Sequence, residues 1–495
     1  MNLRPLAAAI VCASLITACG SSSNNDDDDN NTSTSLINID NVVQLLETNA
    51  DIALAAYNDS IITAQALKTA LAALRADPTE ANLQAAKGAW LASREPYGQT
   101  EVYRFRLSPI DSTNYTDEDG PEGDINAWPL GEALIDYVTV DTGNTADDFG
   151  DDQVGVTANE AGINDNGALT EADAEADATN NIIGNTDITI DAALLANTAT
   201  ADDEHDVIAG YHAIEFLLWG QDLNNNATIT VPEDRTQAVK THDASNLAAG
   251  GQRPLSDFVS AAANDAADRR HQYLEVAVDK LIDDLQQVRD GWVEGASYRT
   301  AFTSVADEAE AKQKLAEVLT GMGTLSEGEL AGERMQIAFS ANSQEDEHSC
   351  FSDNTHRDIW LNAEGISNSY YGDYAGYDSD LDGTDDVTTN AVNGYGFDDY
   401  LVDAGLTALA SDIEAALSDT ETAYMAIDTA ARAGRPVDVL ITEAKTTDNP
   451  MYTAILALNG QSSLIQQIAD DLDLGSTVVD DDASGCDTGN PANEC

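Results

Sequence analysis

Residues 273–292, YLEVAVDKLIDDLQQVRDGW, decide how this chain folds. Leu274, Val278, Leu281, Leu285, Val288 and Trp292 recur at alternating spacings of four and three. That is the period of an α-helix with one apolar face, and charged and amide side chains fill the other positions. A strand would show strict alternation instead. The same pattern runs from Val42 to Leu74, through Leu45, Leu46, Ile52, Leu54, Ile61, Leu67 and Leu71. Pro78-Thr79 ends that helix and caps the next, which carries Leu83, Ala86 and Trp90 on one face. Pro96 inside this second pattern predicts a kink or a restart. Leu406–Leu417 and Ile455–Leu472 read as further helices, and alternating stretches are few. The predicted fold class is all-α, with two helical bundles at 38–222 and 255–475. A connecting segment, 223–254, holds Pro232, Gly250-Gly251 and Pro254. Two acidic, Gly/Asn-rich stretches, 141–200 and 372–398, read as long loop insertions, and 476–495 as an acidic tail.

The 495 residues carry 89 acidic and 22 basic side chains, a formal net charge of −67, with 42% hydrophobic residues. That apolar fraction supports a core. The charge excludes nucleic-acid binding, because phosphates would be repelled. A solvated acidic surface suits a salty medium, where screening blunts self-repulsion.

At the N-terminus Arg4 precedes an apolar run, Leu6–Ile16, too short to span a bilayer. Leu15-Ile16-Thr17-Ala18-Cys19 resembles the bacterial lipobox. The expectation is a lipoprotein signal at 1–18, a lipid on Cys19 and a tether over 19–37. The address is then the cell envelope, and Gly20 after the cysteine favours the outer membrane. Of the other exported cysteines, Cys486 and Cys495 could close a small disulfide, leaving Cys350 odd.

The stretch 205–219, HDVIAGYHAIEFLLW, is apolar nearly all round and reads as a buried helix, capped by Asp202 or Asp203 and ended by Gly220. His212 and Glu215 share one face. Burying that pair requires a partner: each other, or a metal ion. Gly210 allows another element to approach closely. Zinc-peptidase patterns need a second histidine, and position 216 is Phe216. Residues 90–106, WLASREPYGQTEVYRFR, gather Arg94, Glu95, Tyr97, Glu101, Tyr103 and Arg104, as a salt-bridged surface turn or part of a site. Residues 343–358, SQEDEHSCFSDNTHRD, hold Glu345, Glu347, His348, Cys350, Asp353 and His356, as a polar loop with helix caps or a functional cluster.

Several segments together resemble the imelysin-like proteins, which include imelysin peptidases and the iron-regulated protein A group. They are GYHAIE at 210–215 with FLLWGQD at 216–222, REPY at 94–97 and TEVYRF at 100–105. PEGDINAWPLGEALIDYV at 121–138, GERMQIAF at 332–339 and EDEHSCFSDNTHRDI at 345–359 extend the likeness. The resemblance implies two related helical bundles with the Gly-x-His-x-x-Glu motif near their junction. It also implies an exported or lipid-anchored protein linked to iron. By position, His212 and Glu215 are metal-ligand candidates, and Glu95, Glu101, Glu347 and His348 are candidates to complete the site. Histidine with carboxylates suits iron or manganese better than copper(I). Arg94 and Arg104 would hold those carboxylates or a carboxylate-bearing ligand. With haem, His212 would be axial and the arginines would meet propionates. The expected function is binding of iron or an iron-bearing ligand for uptake. Its rivals are a metallopeptidase using Glu215, and a non-catalytic interaction protein with a structural His–Glu pair. Two acidic loops have calcium-like spacing. Asp378-x-Asp380-x-Asp382-Gly383 has Thr389 at position twelve, and Asp222-x-Asn224-x-Asn226 has Ala227 at position six.

Overall fold

A computed structural model describes residues 35–128, 130–137, 181–196, 207–222, 250–251, 253–343, 346–479, 484–493 and 495. The expected signal peptide, lipobox and most of the tether, with residues 138–180, 197–206 and 223–249, lie outside them. Among the described residues no helix is long and apolar enough to cross a membrane.

The fold is all-helical, as the periodicities predict. Helix α1, Ile39–Ala76, starts where the Asn38 side chain accepts the Asp40 N–H at 3.1 Å. Helix α2, Glu80–Gly98, is capped by Thr79, as read from the sequence. Pro96 neither kinks it midway nor splits it. It sits in the last turn, and a 3₁₀ turn, Glu101–Tyr103, follows. Helix α3 is Gly210–Trp219, and α4 is Ala266–Trp292, whose apolar face is buried from Leu274 to Trp292. Burying each such leucine or valine contributes about 1.5–3 kcal/mol. Helix α5, Glu308–Thr324, runs straight into a π-helical segment, Leu325–Ile337. Helices α6 (Thr355–Tyr371), α7 (Thr407–Arg432) and α8 (Pro450–Asp471) are the remaining long ones among the described residues.

Residues Ile37–Cys495 form one compact unit. Helix α1 lies on α2 and α4, α3 on α2 and α4, α6 on α2 and α7, and α7 on α8. Both predicted bundles therefore feed one core, in which Leu45 and Trp90 join Leu281, Leu315 and Ile465.

The segments read as loops are more structured than their composition suggests. Within 372–398 two short antiparallel strands pair Asp373 with Asn393 and Tyr374 with Val392. Tyr374 Oη donates to Asp59 Oδ2 at 2.9 Å and Asn390 Nδ2 to Asp59 Oδ1 at 2.6 Å, which fastens this insertion to α1. In 181–196, Ile182 and Ile183 are buried, and the Arg269 guanidinium holds their carbonyls. The tail closes the Cys486–Cys495 disulfide, and Cys350 is buried outside any disulfide. It docks on the π-helical segment, where Gln336 donates to the carbonyls of Asp487 and Asn493 at 3.2 Å.

Candidate functional site

Helix α3 begins at Gly210, five residues later than the apolar pattern suggests. Ala209 is extended and gives no side-chain cap, while Val207 pairs with Leu130. The expected caps Asp202 and Asp203 lie outside the described residues. Gly210 has φ +77°, and a Cβ there would stand 2.4 Å from the Ile125 carbonyl oxygen. The close approach is made by the single turn Glu122–Ile125. Gly210→Ala is therefore expected to cost at least about 1–2 kcal/mol from the left-handed backbone alone, read as a lower melting temperature.

All ten residues of α3 are buried. His212 Nδ1 lies 2.8 Å from Glu215 Oε2. Glu215 Oε1 accepts the Ser352 N–H at 2.9 Å and its hydroxyl at 2.6 Å. His212 Nε2 is buried and has no hydrogen-bond partner. Burial pushes His212 down to about 3, helped by nearby Arg94, so the ring is neutral. Burial pushes Glu215 up to about 8 against the Ser352 hydrogen bonds. The pair holds one proton or two. With Glu215 ionised, the neutral ring carries its hydrogen on Nδ1 and Nε2 is a bare lone pair; with Glu215 protonated, the acid donates to Nδ1 and Nε2 carries an orphan N–H, so the two forms differ by one proton. A cation at Nε2 selects the first form.

An arginine–carboxylate network faces this pair. The His348 ring packs edge-on to His212, with centroids 4.6 Å apart. Arg334 Nη1 donates to His348 Nε2 at 2.9 Å, which places the ring proton on Nδ1, toward Asp358 Oδ2 at 3.3 Å. Burial and the Arg334 charge hold His348 well below the usual histidine range. Arg94 grips Asp358 Oδ1 at 3.0 and 3.1 Å and donates to Asn126 Oδ1 at 2.5 Å. Burial would raise Asp358, but Arg94 and His348 outweigh it and hold the acid well below the carboxylate range. Arg334 Nη2 binds Glu101 at 3.0 Å and Glu329 at 2.7 Å, and Arg104 reaches both at 3.1 Å. Glu329 and Arg334 are five residues apart. They share a face because the segment is π-helical, with i to i+5 periodicity.

The structure thus brings together His212, Glu215, Glu101, His348, Arg94 and Arg104. It separates Glu95, whose carboxylate is held by Arg357 at 2.6 and 2.9 Å. Neighbouring helix positions diverge by about 100°, so Arg94 and Glu95 cannot serve one centre. Glu347 is buried and feels the charges of Asp353, Asp222 and Glu215. The surface-turn reading of 90–106 does not hold, because Arg94, Glu95 and Glu101 are buried. Sequence reasoning missed Arg334, Asp358, Ser352 and Asn126, although each lies in a segment that carries the family resemblance. Glu329 gave no signal. In the Asp378 loop, the leading carboxylate accepts the N–H groups of Leu381 at 2.7 Å and Gly383 at 2.6 Å. Asp380 and Asp382 there are exposed.

The family model described as Imelysin matches residues 53–465. Among solved structures, the chain is similar to a provisionally named iron-regulated protein A precursor from Parabacteroides distasonis ATCC 8503. The TM-score is 0.56 at 16% identity, covering 89% of this chain and 97% of that one. At that identity the likeness concerns the fold. No curated protein matches the chain.

Proposed function

Because the chain belongs to the imelysin family, we propose that it is an exported, lipid-anchored protein that binds iron at His212 for uptake. One observation carries this reading: His212 Nε2 is buried without a partner, while Nδ1 is tied to a carboxylate. Metal-ligating imidazoles are oriented in this way. Glu215 is then the orienting group and not a ligand, since Oε2 meets His212 and Oε1 meets Ser352. His348, Glu101 and Glu329 supply further nitrogen and oxygen donors, a set that fits iron. Those three groups take hydrogen bonds from Arg334, so bound iron would supply positive charge where the guanidinium now does. The name given to the Parabacteroides protein agrees with a link to iron. Anchoring through Cys19 would keep the protein in the cell envelope, at the outer membrane by the Gly20 rule.

A bare ion fits better than haem. His348 occupies the space beside His212 at 4.6 Å, and Trp128 packs on His348 at 4.3 Å. Binding fits better than peptide hydrolysis. His212 is 1% exposed, so a peptide does not reach it, and both Glu215 oxygens are committed, which removes the general base.

The test is equilibrium titration of stripped protein with ferrous iron, ferric iron and haem. About one equivalent of iron is expected, with affinity at least tenfold weaker in His212→Ala. Equal iron affinity in that variant would overturn the assignment. Anchoring is checked by lipid incorporation that disappears in Cys19→Ala.

A further inference from the structure

The π-helical segment Leu325–Ile337 meets the arginine–carboxylate network along one row of side chains and the chain's tail along another. Glu329 and Arg334, five positions apart, are the first row, and Arg334 reaches His348 and Glu101 from there. Glu327, Gly332 and Gln336 are the second row, at spacings of five and four. Each meets the tail. Glu327 Oε1 accepts the Thr488 hydroxyl at 2.8 Å. Gly332 lets the tail in, since a Cβ there would stand 2.1 Å from Ser484 Oγ. Gln336 Nε2 donates to the carbonyls of Asp487 and Asn493 at 3.2 Å. One turn further on, Ser340 Oγ lies 3.9 Å from Cys495 Sγ. Thr488 is buried and accepts a hydrogen bond from Asn459 of α8 at 2.8 Å. The Cys486–Cys495 disulfide closes the tail into a small loop around these contacts.

We propose that this disulfide-closed tail is a positioning clamp: it holds the segment in its π-helical register and thereby keeps Arg334 on His348, Glu101 and Glu329. The register ties the two rows together. An α-helix turns by about 100° per residue, so positions five apart diverge by about 140°. In that register Glu329 and Arg334 would no longer share a face, and neither would Glu327 and Gly332. The segment's own composition does not demand a π-helix. Its leucines, alanine, glutamates, arginine, methionine and glutamine are strong α-helix formers. A π-helix is rare and usually a single turn, so a run of 13 residues needs contacts from outside to persist. Helix α8 supplies one, from Asn459 to Glu327 Oε1 at 2.8 Å. The tail supplies those at Gly332 and Gln336 and a second one at Glu327. Closing the tail into a loop lowers the conformational entropy lost when it docks. The clamp's effect on iron rests on the assignment at His212; its effect on the register does not.

The test compares the full chain as wild type, as Cys486→Ser/Cys495→Ser and as Gly332→Ala, which keeps the disulfide but pushes the tail away. In metal-free protein, amide hydrogen exchange over 325–337 is expected to be at least tenfold faster in both variants, with α4 unchanged. The Trp128 ring lies 4.9 Å from the Arg334 guanidinium and 4.3 Å from the His348 ring. Its near-ultraviolet circular dichroism, taken as the difference from Trp128→Phe in the same background, is therefore expected to change in both variants. Affinity for ferrous iron is expected to fall at least tenfold. Unchanged exchange over 325–337, exchange that rises as much in α4, or an unchanged Trp128 signal would overturn the clamp. Faster exchange with undiminished iron affinity would overturn its positioning role. Wild type that takes up no iron would sink the His212 reading instead, and exchange with the Trp128 signal would still decide the clamp.

Discussion

Arg334→Ala is expected to destabilise the protein by about 3–5 kcal/mol, the range for breaking a buried ion network by removing one partner. Arg334 donates to His348 Nε2, to Glu101 and twice to Glu329, and all four side chains are buried. Without it, Arg104 alone faces two buried carboxylates. Arg334→Lys should recover little, because an ammonium cannot fork across three acceptors. Denaturant unfolding measures the loss. A cost below about 1 kcal/mol would show that the network is not electrostatically essential. Adding Glu101→Gln should return part of the loss, since one uncompensated charge is then gone. A double-mutant cycle reads that coupling.

The second large effect is on pH. Glu215 is raised in the folded state to about 8, and Glu347, Asp353 and Asp438 are raised as well. An acid raised on folding stabilises fully below its unfolded value, and that stability is lost as pH rises toward the folded value. His212, down at about 3, and His356, down at about 4, act oppositely. Their contribution is present above about pH 6.5 and is lost as pH falls, because only the unfolded chain takes up their protons. Above about pH 6.5 the histidines are neutral in both states, so the acids alone set the slope. Cation-free stability should then fall between pH 6.5 and 8, Glu215 alone contributing up to about 2 kcal/mol at about 1.4 kcal/mol per unit. Thermal melts in chelator across pH 5–9 test this. Stability that rises steadily from pH 6.5 to 8 would contradict it.

The helices were legible because their physics is local. The four-three spacing from Leu274 to Trp292 is α4, and Thr79 caps α2 in the structure as it does in the sequence. The motif pair was legible too: three residues on a helix bring His212 to 2.8 Å from Glu215. The start of α3 was not, because Gly210's +77° turn is set by the Ile125 backbone pressing against it. Nor was the division of labour between adjacent residues. Arg94 turns to Asp358 and Glu95 to Arg357, and both partners are more than 260 residues away.

By itself, then, the sequence determined an all-helical chain with a buried His–Glu pair, because helix period and i, i+3 geometry depend on neighbours a few positions apart. Only the tertiary structure decided which charges compensate which. The π-helical register that aligns Glu329 with Arg334 belongs to that level. So does the meeting of Asp222, Asp353 and Asp438. The energy of a buried charge depends on what stands within a few ångströms of it in space, and chain packing sets those neighbours.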